Sequence, residues 1–369
     1  MIEPTSEAEL AEAVRDAGGP LRVRGGGTRG GGAGEAGEVL SVAGLSGIAL
    51  HEPGALTLVA AAGTPMAEIE AALGAERQRL AFEPMDHRGL LGTQGEPTIG
   101  GAVAAAASGP RQVQVGGCRD HLLGVRFVDG TGTAVKNGGR VMKNVTGYDL
   151  VKLMCGARGT LGVLTEVALK VLPAPPASAT LVLGGLDAPG AVRAMSAALG
   201  SPFEVTGAAW SGGRTLLRIE GLEGSVDYRA GRLAEVLAPF GAAEVERDGD
   251  ANAATWAAVR DVAPFHGRTG NVWRVALRPS DAPAAVEAAG GEALLDLGGA
   301  AMWVLLPEGD DLRARLGGLR AVAVPVRGAA PRRGARSAPL AAIEAGLRAR
   351  FDPRGILNPG ELAPPAAAA

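Results

Sequence analysis

Three glycine-rich segments in the first half of the chain could hold a charged ligand by main-chain atoms alone. They lie at residues 25–32, 98–101 and 156–162. Residues without a Cβ leave neighbouring N–H groups open, and consecutive N–H groups can curl into a nest that binds a phosphate. Each segment alone also fits a surface turn, a closely packed helix or a strand bulge. Together they favour an extended ligand that is contacted mainly by the main chain.

The first glycine loop matches known phosphate-binding patterns only in part. Gly25, Gly27 and Gly30 have the spacing of a Rossmann fingerprint, but that motif needs a helix directly after the glycines. Residues 31–34 are Gly-Gly-Ala-Gly, which does not sustain a helix. The P-loop pattern fails as well, because no Lys-Ser/Thr pair follows. The remaining interpretations are a floppy surface turn and a loop whose bare amides bind a phosphate, with no Cβ in the phosphate's way.

The second segment predicts a helix start that lies against a ligand. Gly100 and Gly101 open the small-residue run 102–107. Small residues let a flat or charged group approach the backbone, and the positive end of the helix dipole would face an anion. Close packing of this helix on a neighbour explains the alanines equally well, but it does not explain the paired glycines.

The elements that position these segments follow from local patterns. Ser6 and Glu9 form a capping-box pattern that predicts a helix to about Gly18. Alternating apolar residues predict a strand over 162–172, and the proline cluster 173–176 predicts a domain boundary. The other predicted elements are strands at 21–24, 39–42 and 56–60, a helix at 65–73, a hairpin of 125–128 with 133–135, alternating strands and helices over 178–325, and a final helix with Leu340, Ile343, Leu347 and Phe351 on one face.

Composition limits the class of protein. The 369 residues suggest about two domains, and 47% hydrophobic content is ample for their cores. A net charge of −3 disfavours a nucleic-acid binder. Cys118 and Cys155 are too few for a cysteine-ligated cluster and indicate a reducing compartment. The first residues lack a signal-peptide pattern and no apolar run could span a membrane, so we expect a cytoplasmic protein.

Several motifs resemble the FAD-binding domain of the vanillyl-alcohol oxidase (PCMH-type) superfamily. The matching motifs are RGGGTR at 24–29, TIGGAV at 98–103, GVRFVDGTG at 124–132, GARGTLGVLTEVALKVLP at 156–173 and FDPRGILNPG at 351–360. Within that superfamily, SGPR at 108–111, the block 138–173 and NVWRVALRPSDAP at 271–283 resemble the FAD-binding E subunits of bacterial glycolate oxidases. The similarity spans nearly the whole chain.

This resemblance implies an α+β fold with a PCMH-type FAD-binding domain of two α/β subdomains and a smaller α+β cap domain. The expected segments are 1–175 for FAD binding, 176–325 for the cap, and a C-terminal segment, 326–369, that returns to the FAD domain. The cofactor implied is FAD, bound non-covalently, because none of His87, His121, Cys118 and Cys155 lies in an attachment pattern.

The resemblance also implies a role for each site residue. The diphosphate-binding loop would consist of Arg24, Gly25, Gly26, Gly27, Thr28 and Arg29, acting through backbone N–H groups. The residues beside the diphosphate, ribityl chain and flavin ring would be Thr98, Gly100, Gly101, Ser108 and Gly109. Gly159, Gly162 and Val163 would flank the adenine, with the Val163 main chain reading the base. Asn358 would close over the isoalloxazine from the tail.

The catalytic residues stay unknown at this level. Larger relatives carry a histidine-rich segment in the second domain, whereas this chain has only His266 there, without a partner at metal-site or base spacing. We therefore expect His266 not to be catalytic. A substrate carboxylate could instead be held by one of four second-domain arginines: Arg260, Arg268, Arg274 and Arg278.

Three functional hypotheses follow. The leading one is the FAD-binding subunit of a glycolate oxidase or dehydrogenase complex, which oxidises a 2-hydroxy acid and passes electrons to partners. The implied partners are a larger FAD subunit and an iron–sulphur subunit, which would hold the complex peripherally at the inner membrane. The alternatives are a stand-alone FAD-dependent 2-hydroxy-acid or sugar oxidoreductase, and a structural subunit that has kept the fold without turnover.

Overall fold

The structure is a computed structural model that describes residues 1–29, 37–141, 147–332, 334 and 336–361. Its strands are β1 (Leu21–Arg24), β2 (Glu38–Ser41), β3 (Ile48–Glu52), β4 (Thr57–Ala61), β5 (Gln78–Arg79), β6 (Leu122–Val128), β7 (Ala134–Gly138), β8 (Val163–Lys170), β9 (Leu172–Pro173), β10 (Ala177–Gly184), β11 (Val205–Ser211), β12 (Arg214–Gly221), β13 (Glu244–Glu246), β14 (Asn271–Leu277), β15 (Glu292–Asp296), β16 (Ala301–Leu306) and β17 (Ala321–Arg327).

Helices alternate with these strands along the chain. They are α1 (Glu7–Asp16), α2 (Met66–Ala75), α3 (Arg88–Leu91), α4 (Ile99–Ala104), α5 (Gln112–Val115), α6 (Cys118–His121), α7 (Leu150–Met154), α8 (Ala188–Leu199), α9 (Glu223–Leu237), α10 (Gly249–Arg260), α11 (Ala282–Ala289), α12 (Leu312–Arg315) and α13 (Ala338–Phe351). Short 3₁₀ turns lie at Pro53–Ala55, Ala238–Phe240, Ala263–Phe265, Pro279–Asp281 and Leu297–Gly299.

The chain divides into two compact units. The first consists of Met1–Ser108, Gly117–Ala174 and Pro331–Ala369, and the second of Gly109–Gly116 and Pro175–Ala330. The polypeptide therefore leaves the first unit after Ser108 to contribute eight residues to the second, an arrangement that no local pattern predicts. The three-segment division into 1–175, 176–325 and 326–369, with a function for each part, stays a prediction.

The first unit is built on a five-stranded antiparallel sheet in the order β3-β4-β8-β6-β7. Its central strand β8 is buried on both faces, and for that reason it is rich in Val and Leu. Helices α2, α4 and α7 cover one face through a core that includes Ile69, Val103, Met154, Phe127 and Leu169. Burying these side chains is worth about 1.5–3 kcal/mol each.

A smaller part of the first unit joins the two ends of the chain. β1 and β2 form a parallel pair, and α1 packs its Leu10 and Val14 against them. The C-terminal tail adds Ile356 and Leu357 to the same core, with Leu357 in a parallel bridge to Leu21. The tail is held because the carboxylate of Asp352 accepts hydrogen bonds from the backbone N–H groups of residues 356 and 357.

The second unit is an eight-stranded sheet in the order β13-β10-β12-β11-β15-β16-β14-β17. Helices α8, α9 and α11 cover one face through an apolar core. On the other side of β12, Arg111 from the inserted segment makes a bidentate ion pair with Glu220, at 2.8 and 2.9 Å. Both side chains are less than one tenth exposed. The Glu220 carboxylate also lies 3.7 Å from Arg218. Arg111 thus attaches residues 109–116 to this sheet.

The predicted elements are largely present. Ser6 caps α1 by accepting from Glu9 N, and β1 and α2 lie where the patterns place them. The helix expected over 102–107 instead ends at Ala104, because the Ala106 backbone is left-handed at φ 50°. Within the described ranges, no helix is both long and apolar enough to cross a membrane.

Candidate functional site

A single cavity of about 390 Å³ in the first unit gathers almost all the predicted site residues. The predicted residues that line it are Arg24, Gly25, Gly26, Gly27, Thr28, Arg29, Thr98, Gly100, Gly101, Gly159, Gly162, Val163 and Asn358. Its volume falls in the range of ordinary ligand pockets. Residues of three glycine-rich segments and of the C-terminal tail, which are far apart in sequence, therefore line the same cavity.

The loop after β1 presents unused main-chain donors. None of the N–H groups of residues 25–29 donates to an acceptor in the described part of the chain. Gly27 has φ 70°, the left-handed conformation that nests of N–H groups require. These residues are mostly half-buried and line the cavity. A run of N–H groups that is open to a cavity suits a ligand with several acceptor oxygens. The part of the expected loop at residues 30–32 lies outside the described residues.

The reason for glycine at position 26 differs from the one expected. A Cβ there would overlap the carbonyl oxygen of Glu96, and a Cβ at Gly95 would likewise overlap the Gly26 carbonyl oxygen. The two backbone segments thus pack directly on each other. The expectation that Gly26 is bare to make room for a phosphate is corrected: the side chain is missing so that the loop can lie against residues 95 and 96.

The start of α4 lines the cavity but does not offer free N–H groups. Its first amides are all satisfied by protein acceptors: Ile99 N by Thr64 O at 3.0 Å, Gly100 N by Ala62 O at 2.8 Å, and Gly101 N by the capping Thr98 Oγ1 at 3.2 Å. A Cβ on Gly100 would lie 2.6 Å from Ala62 O. Close packing on Ala62, directly after β4, therefore explains Gly100. The expected dipole contact from this helix to an anion is not supported by its hydrogen bonds.

Gly159 and Gly162 shape the opposite wall. Gly159 has φ 69°, and a Cβ there would lie 2.7 Å from Asn358 Nδ2. A Cβ on Gly162 would lie 2.6 Å from a ring carbon of Phe127. Both positions need glycine because neighbouring groups already fill the space that a side chain would occupy. The main chain therefore lies directly beside the cavity.

The beginning of β8 has one strand edge without a partner. Val163 pairs with Val128 on the β6 side. On the β4 side, pairing in the described structure ends where Ala62 N donates to Thr165 O at 2.9 Å. Val163 and Leu164 lie beyond that point and line the cavity. An unpaired strand edge offers main-chain donors and acceptors of the kind that a purine needs. Adenine recognition by the Val163 main chain, which the family resemblance implies, stays a prediction.

Asn358 fastens the walls of the cavity together. Its Oδ1 accepts from Val23 N at 2.7 Å, and its Nδ2 donates to Arg158 O at 2.7 Å. Its own N donates to Leu21 O at 2.9 Å, and its φ is 43°. The carboxamide is thus bonded to protein on both atoms. The structure gives Asn358 a positioning role that motif spacing alone does not reveal.

Ser108 and Gly109 do not line this cavity. Ser108 Oγ donates to Ala106 O at 3.3 Å and accepts from Cys118 N at 2.9 Å, so it holds a turn. Gly109 belongs to the second unit. Contacts of these two residues with the cofactor stay a prediction.

The charge of the cavity is positive. Arg22, Arg24, Arg29 and Arg158 line it, with Glu361 as the acidic residue among its described lining residues. Glu361 is already paired with Arg158 at 3.2 Å. Arg29 Nε is buried and has no hydrogen-bond partner in the described structure. An unsatisfied cation beside unsatisfied N–H groups fits a diphosphate, which carries negative charge and many acceptor oxygens.

Residues that flavins use for covalent attachment are not part of the described lining. His87, His121, Cys118 and Cys155 all lie elsewhere in the first unit. Burial, and then the positive charge of Arg29, lower the pKa of His87 to about 3, so this imidazole is neutral at physiological pH. Its Nδ1 is 3.2 Å from Met85 O.

Comparison with known proteins identifies the family. A family model described as an FAD binding domain matches residues 1–138. The glycolate oxidase subunit GlcE of Escherichia coli is 37% identical over 332 residues, which cover 88% of this chain and 87% of that protein. The chain belongs to the glycolate oxidase E-subunit family of FAD-dependent oxidoreductases. The family resemblance carried by the sequence motifs is therefore confirmed, and so is FAD as the cofactor of its nucleotide-binding domain.

More distant similarities are confined to part of the chain or to the fold. The glycolate oxidase subunit GlcD of Bacillus subtilis is 39% identical over 85 residues, 23% of this chain and 18% of that protein. The D-lactate dehydrogenase of Anaerostipes hadrus is 40% identical over 109 residues, 30% and 22% of the two chains. A solved structure of alkyldihydroxyacetonephosphate synthase superimposes with a TM-score of 0.72 at 17% identity, covering 97% of this chain and 76% of that one. The predicted PCMH-type α+β fold is thus confirmed.

Sequence reasoning missed some residues of the site. Arg158 and Glu361 form an ion pair at its edge, and Arg332 joins the same carboxylate at 3.0 Å. Arg158 lies inside the motif at 156–173, and Glu361 directly follows the motif at 351–360. The two motifs therefore indicate that both residues are near the site. What the motifs could not show is that the two charges meet.

Proposed function

We propose that this chain is the FAD-binding subunit of a glycolate oxidase or dehydrogenase complex, in which a 2-hydroxy acid such as glycolate is oxidised to the 2-oxo acid glyoxylate. The observation that carries the proposal is the cavity with its row of N–H groups at 25–29, which have no acceptor in the part of the chain that the structure describes. Similarity to GlcE over 88% of the chain supports the substrate. When bound, FAD supplies the ring that accepts a hydride from the hydroxyl-bearing carbon.

In this proposal the described residues do three things. Residues 25–29 bind the diphosphate through N–H groups, the edge of β8 at Val163 reads the adenine, and Asn358 keeps β1 and the 156–162 segment at a fixed separation. The cofactor is held non-covalently, which the positions of His87 and Cys118 outside the lining support.

Electrons that reach the flavin must pass to an electron acceptor. The chain has only two cysteines, too few to ligate an iron–sulphur cluster by the usual four thiolates. We therefore propose that they pass to a partner, a larger FAD subunit or an iron–sulphur subunit, and that any membrane association occurs through these partners. The subunit names of the relatives GlcE and GlcD support assembly with other chains.

Arg274 is the best candidate to hold the substrate carboxylate. The other three arginines of the second unit considered above are paired: Arg260 with Asp261, Arg268 with Glu292 and Arg278 with Asp281. Arg274 has no hydrogen bond or ion pair within the described residues, and its guanidinium carbon lies 5.9 Å from the ring centre of Trp303. A guanidinium that has no hydrogen-bonded carboxylate among the described residues is suited to a bidentate carboxylate contact. By contrast, the ring of His266 is occupied, with Nε2 2.7 Å from Asp261 O.

The test is purification of the tagged chain alone and with co-expressed partners. We expect flavin absorbance in both samples and glycolate-dependent dye reduction only in the complex. In the complex, Arg274→Met should raise the KM for glycolate much more than it lowers kcat, and Arg274→Lys should do so less. His266→Ala should leave activity largely intact. A chain without flavin would contradict the proposed cofactor role and favour a structural subunit, and full activity of the chain alone would favour the stand-alone enzyme.

A further inference from the structure

Arg29 differs from the other arginines of the cavity. Arg158 is compensated by Glu361, and Arg24 is exposed to solvent. Arg29 Nε, in contrast, is buried and without a hydrogen-bond partner among the described residues. A buried, unpartnered donor on a charged group is costly, and native proteins rarely keep one without a ligand.

The electrostatic surroundings of Arg29 also lack a compensating negative charge. Burial, and then repulsion from Arg158, lower the pKa of Arg29 from 12.5 to about 10. Asp86 and Cys118 act in the opposite direction but do not compensate. The side chain is thus charged at neutral pH, partly removed from water, and short of a counter-ion.

The position of the guanidinium is set by the two glycine-rich walls. Arg29 Nη1 lies 2.9 Å from the point where a Cβ on Gly101 would be, and Thr98 Oγ1 lies 3.1 Å from that point. The guanidinium therefore lies over the bare first turn of α4. It extends from the same loop whose N–H groups at 25–29 have no acceptor among the described residues. The positive charge of Arg29 and the N–H dipoles of residues 25–29 therefore lie on the same side of the cavity.

We infer that the side chain of Arg29 pairs with the FAD diphosphate and neutralises one of its charges, in addition to the backbone contacts of the loop. This inference rests on the proposed cofactor site. Backbone N–H groups supply hydrogen bonds but no net charge, whereas a guanidinium supplies both. A Cβ on Gly101 would lie 2.9 Å from Arg29 Nη1, so the guanidinium would have to shift to accommodate it. Arg29 is accordingly a positioning residue for the cofactor.

The test uses the apo-protein of the full chain and two probes, ADP and FAD, measured by calorimetry. Arg29→Gln should weaken both by a similar factor of at least about tenfold, the equivalent of about 1.4 kcal/mol, and should reduce the salt dependence of binding. Arg29→Lys should retain most of the affinity, and Gly101→Ala should show a smaller loss of the same kind. The midpoint potential of the bound flavin should stay close to that of the unsubstituted protein.

The control is Arg193→Gln, which removes the same charge from an exposed helix position in the second unit and should leave both affinities unchanged. Circular dichroism verifies that each variant is folded. Unchanged ADP affinity in Arg29→Gln overturns the inference. Weaker FAD binding with unchanged ADP binding and a lower midpoint potential also overturns it, because the guanidinium would then face the flavin ring. An unsubstituted chain that binds neither probe overturns the cofactor site itself.

Discussion

Replacing Asn358 by alanine should lower the stability of the first unit and leave the stability of the second unit unchanged. The substitution removes the bonds to Val23 N and Arg158 O, both 2.7 Å long. At about 1 kcal/mol each, these contribute about 2 kcal/mol. The backbone at 358 has φ 43°, where alanine costs about 1 kcal/mol more than asparagine. We therefore expect a loss of about 3 kcal/mol in the stability of the first unit.

Two separate signals report on the two units. The four tryptophans, Trp210, Trp256, Trp273 and Trp303, all lie in the second unit. Tryptophan fluorescence during urea unfolding thus follows that unit, and hydrogen exchange at residues 21–23 follows the first. Asn358→Ala should speed exchange of these amides by about two orders of magnitude and release FAD at lower urea, while the tryptophan transition stays in place.

Asn358→Gly is the matched control. Glycine adopts the left-handed backbone freely, so this variant should lose only the hydrogen-bond contribution of about 2 kcal/mol. The difference between the two variants isolates the backbone strain. If both variants exchange residues 21–23 as slowly as the unsubstituted protein, the side chain of Asn358 does not hold these walls together and the reasoning is refuted.

Three further perturbations test other contacts. Glu220→Ala leaves the buried Arg111 without its carboxylate and should cost about 3–5 kcal/mol of second-unit stability by tryptophan-monitored urea unfolding; a loss below about 1 kcal/mol would contradict this. The hydrogen bond from Arg126, opposed by burial, holds the pKa of Glu7 below 4.5, so its stabilisation exists at neutral pH and disappears as the pH falls through that lowered pKa. Because the Arg126 side chain is 39% exposed and solvent screens the pair, Glu7→Gln should remove less than about 1 kcal/mol at pH 7 and nothing in acid; equal losses at both pH values would argue against it. Gly130→Ala places a Cβ 2.7 Å from a backbone carbon of the C-terminal tail and should cost about 1–3 kcal/mol and expose the tail to proteolysis; an unchanged cleavage rate would count against close docking there.

Local signals predicted the elements that depend on near neighbours. The Ser6 cap of α1 and the strand Leu21–Arg24 were predictable because capping and strand patterning act over a few residues. The Glu9 carboxylate also accepts from Thr5 N at 2.8 Å, one residue before the cap, which the capping-box pattern does not predict. Most of the residues that the family motifs assigned to the cofactor site line one cavity, and their contacts with FAD stay a prediction.

The contacts between distant segments were not predictable from local chemistry. Gly26 is bare because of Glu96, and Gly100 because of Ala62. Neither neighbour is apparent from spacing along the chain. The same holds for Arg111, whose partner Glu220 is 109 residues away. Sequence patterns thus identified which backbone must be open, while the structure shows what fills the space.

The excursion of residues 109–116 into the second unit has a consequence for biosynthesis. A ribosome makes this segment before any strand of the sheet that it joins, and it makes Asn358 after the whole of that sheet. The second unit is therefore complete in sequence once residue 330 has been made, whereas the first unit still lacks its C-terminal segment. Until the tail has been made, Val23 N of β1 lacks its acceptor on Asn358, so the walls around the cavity are fastened together only after the second unit has been synthesised.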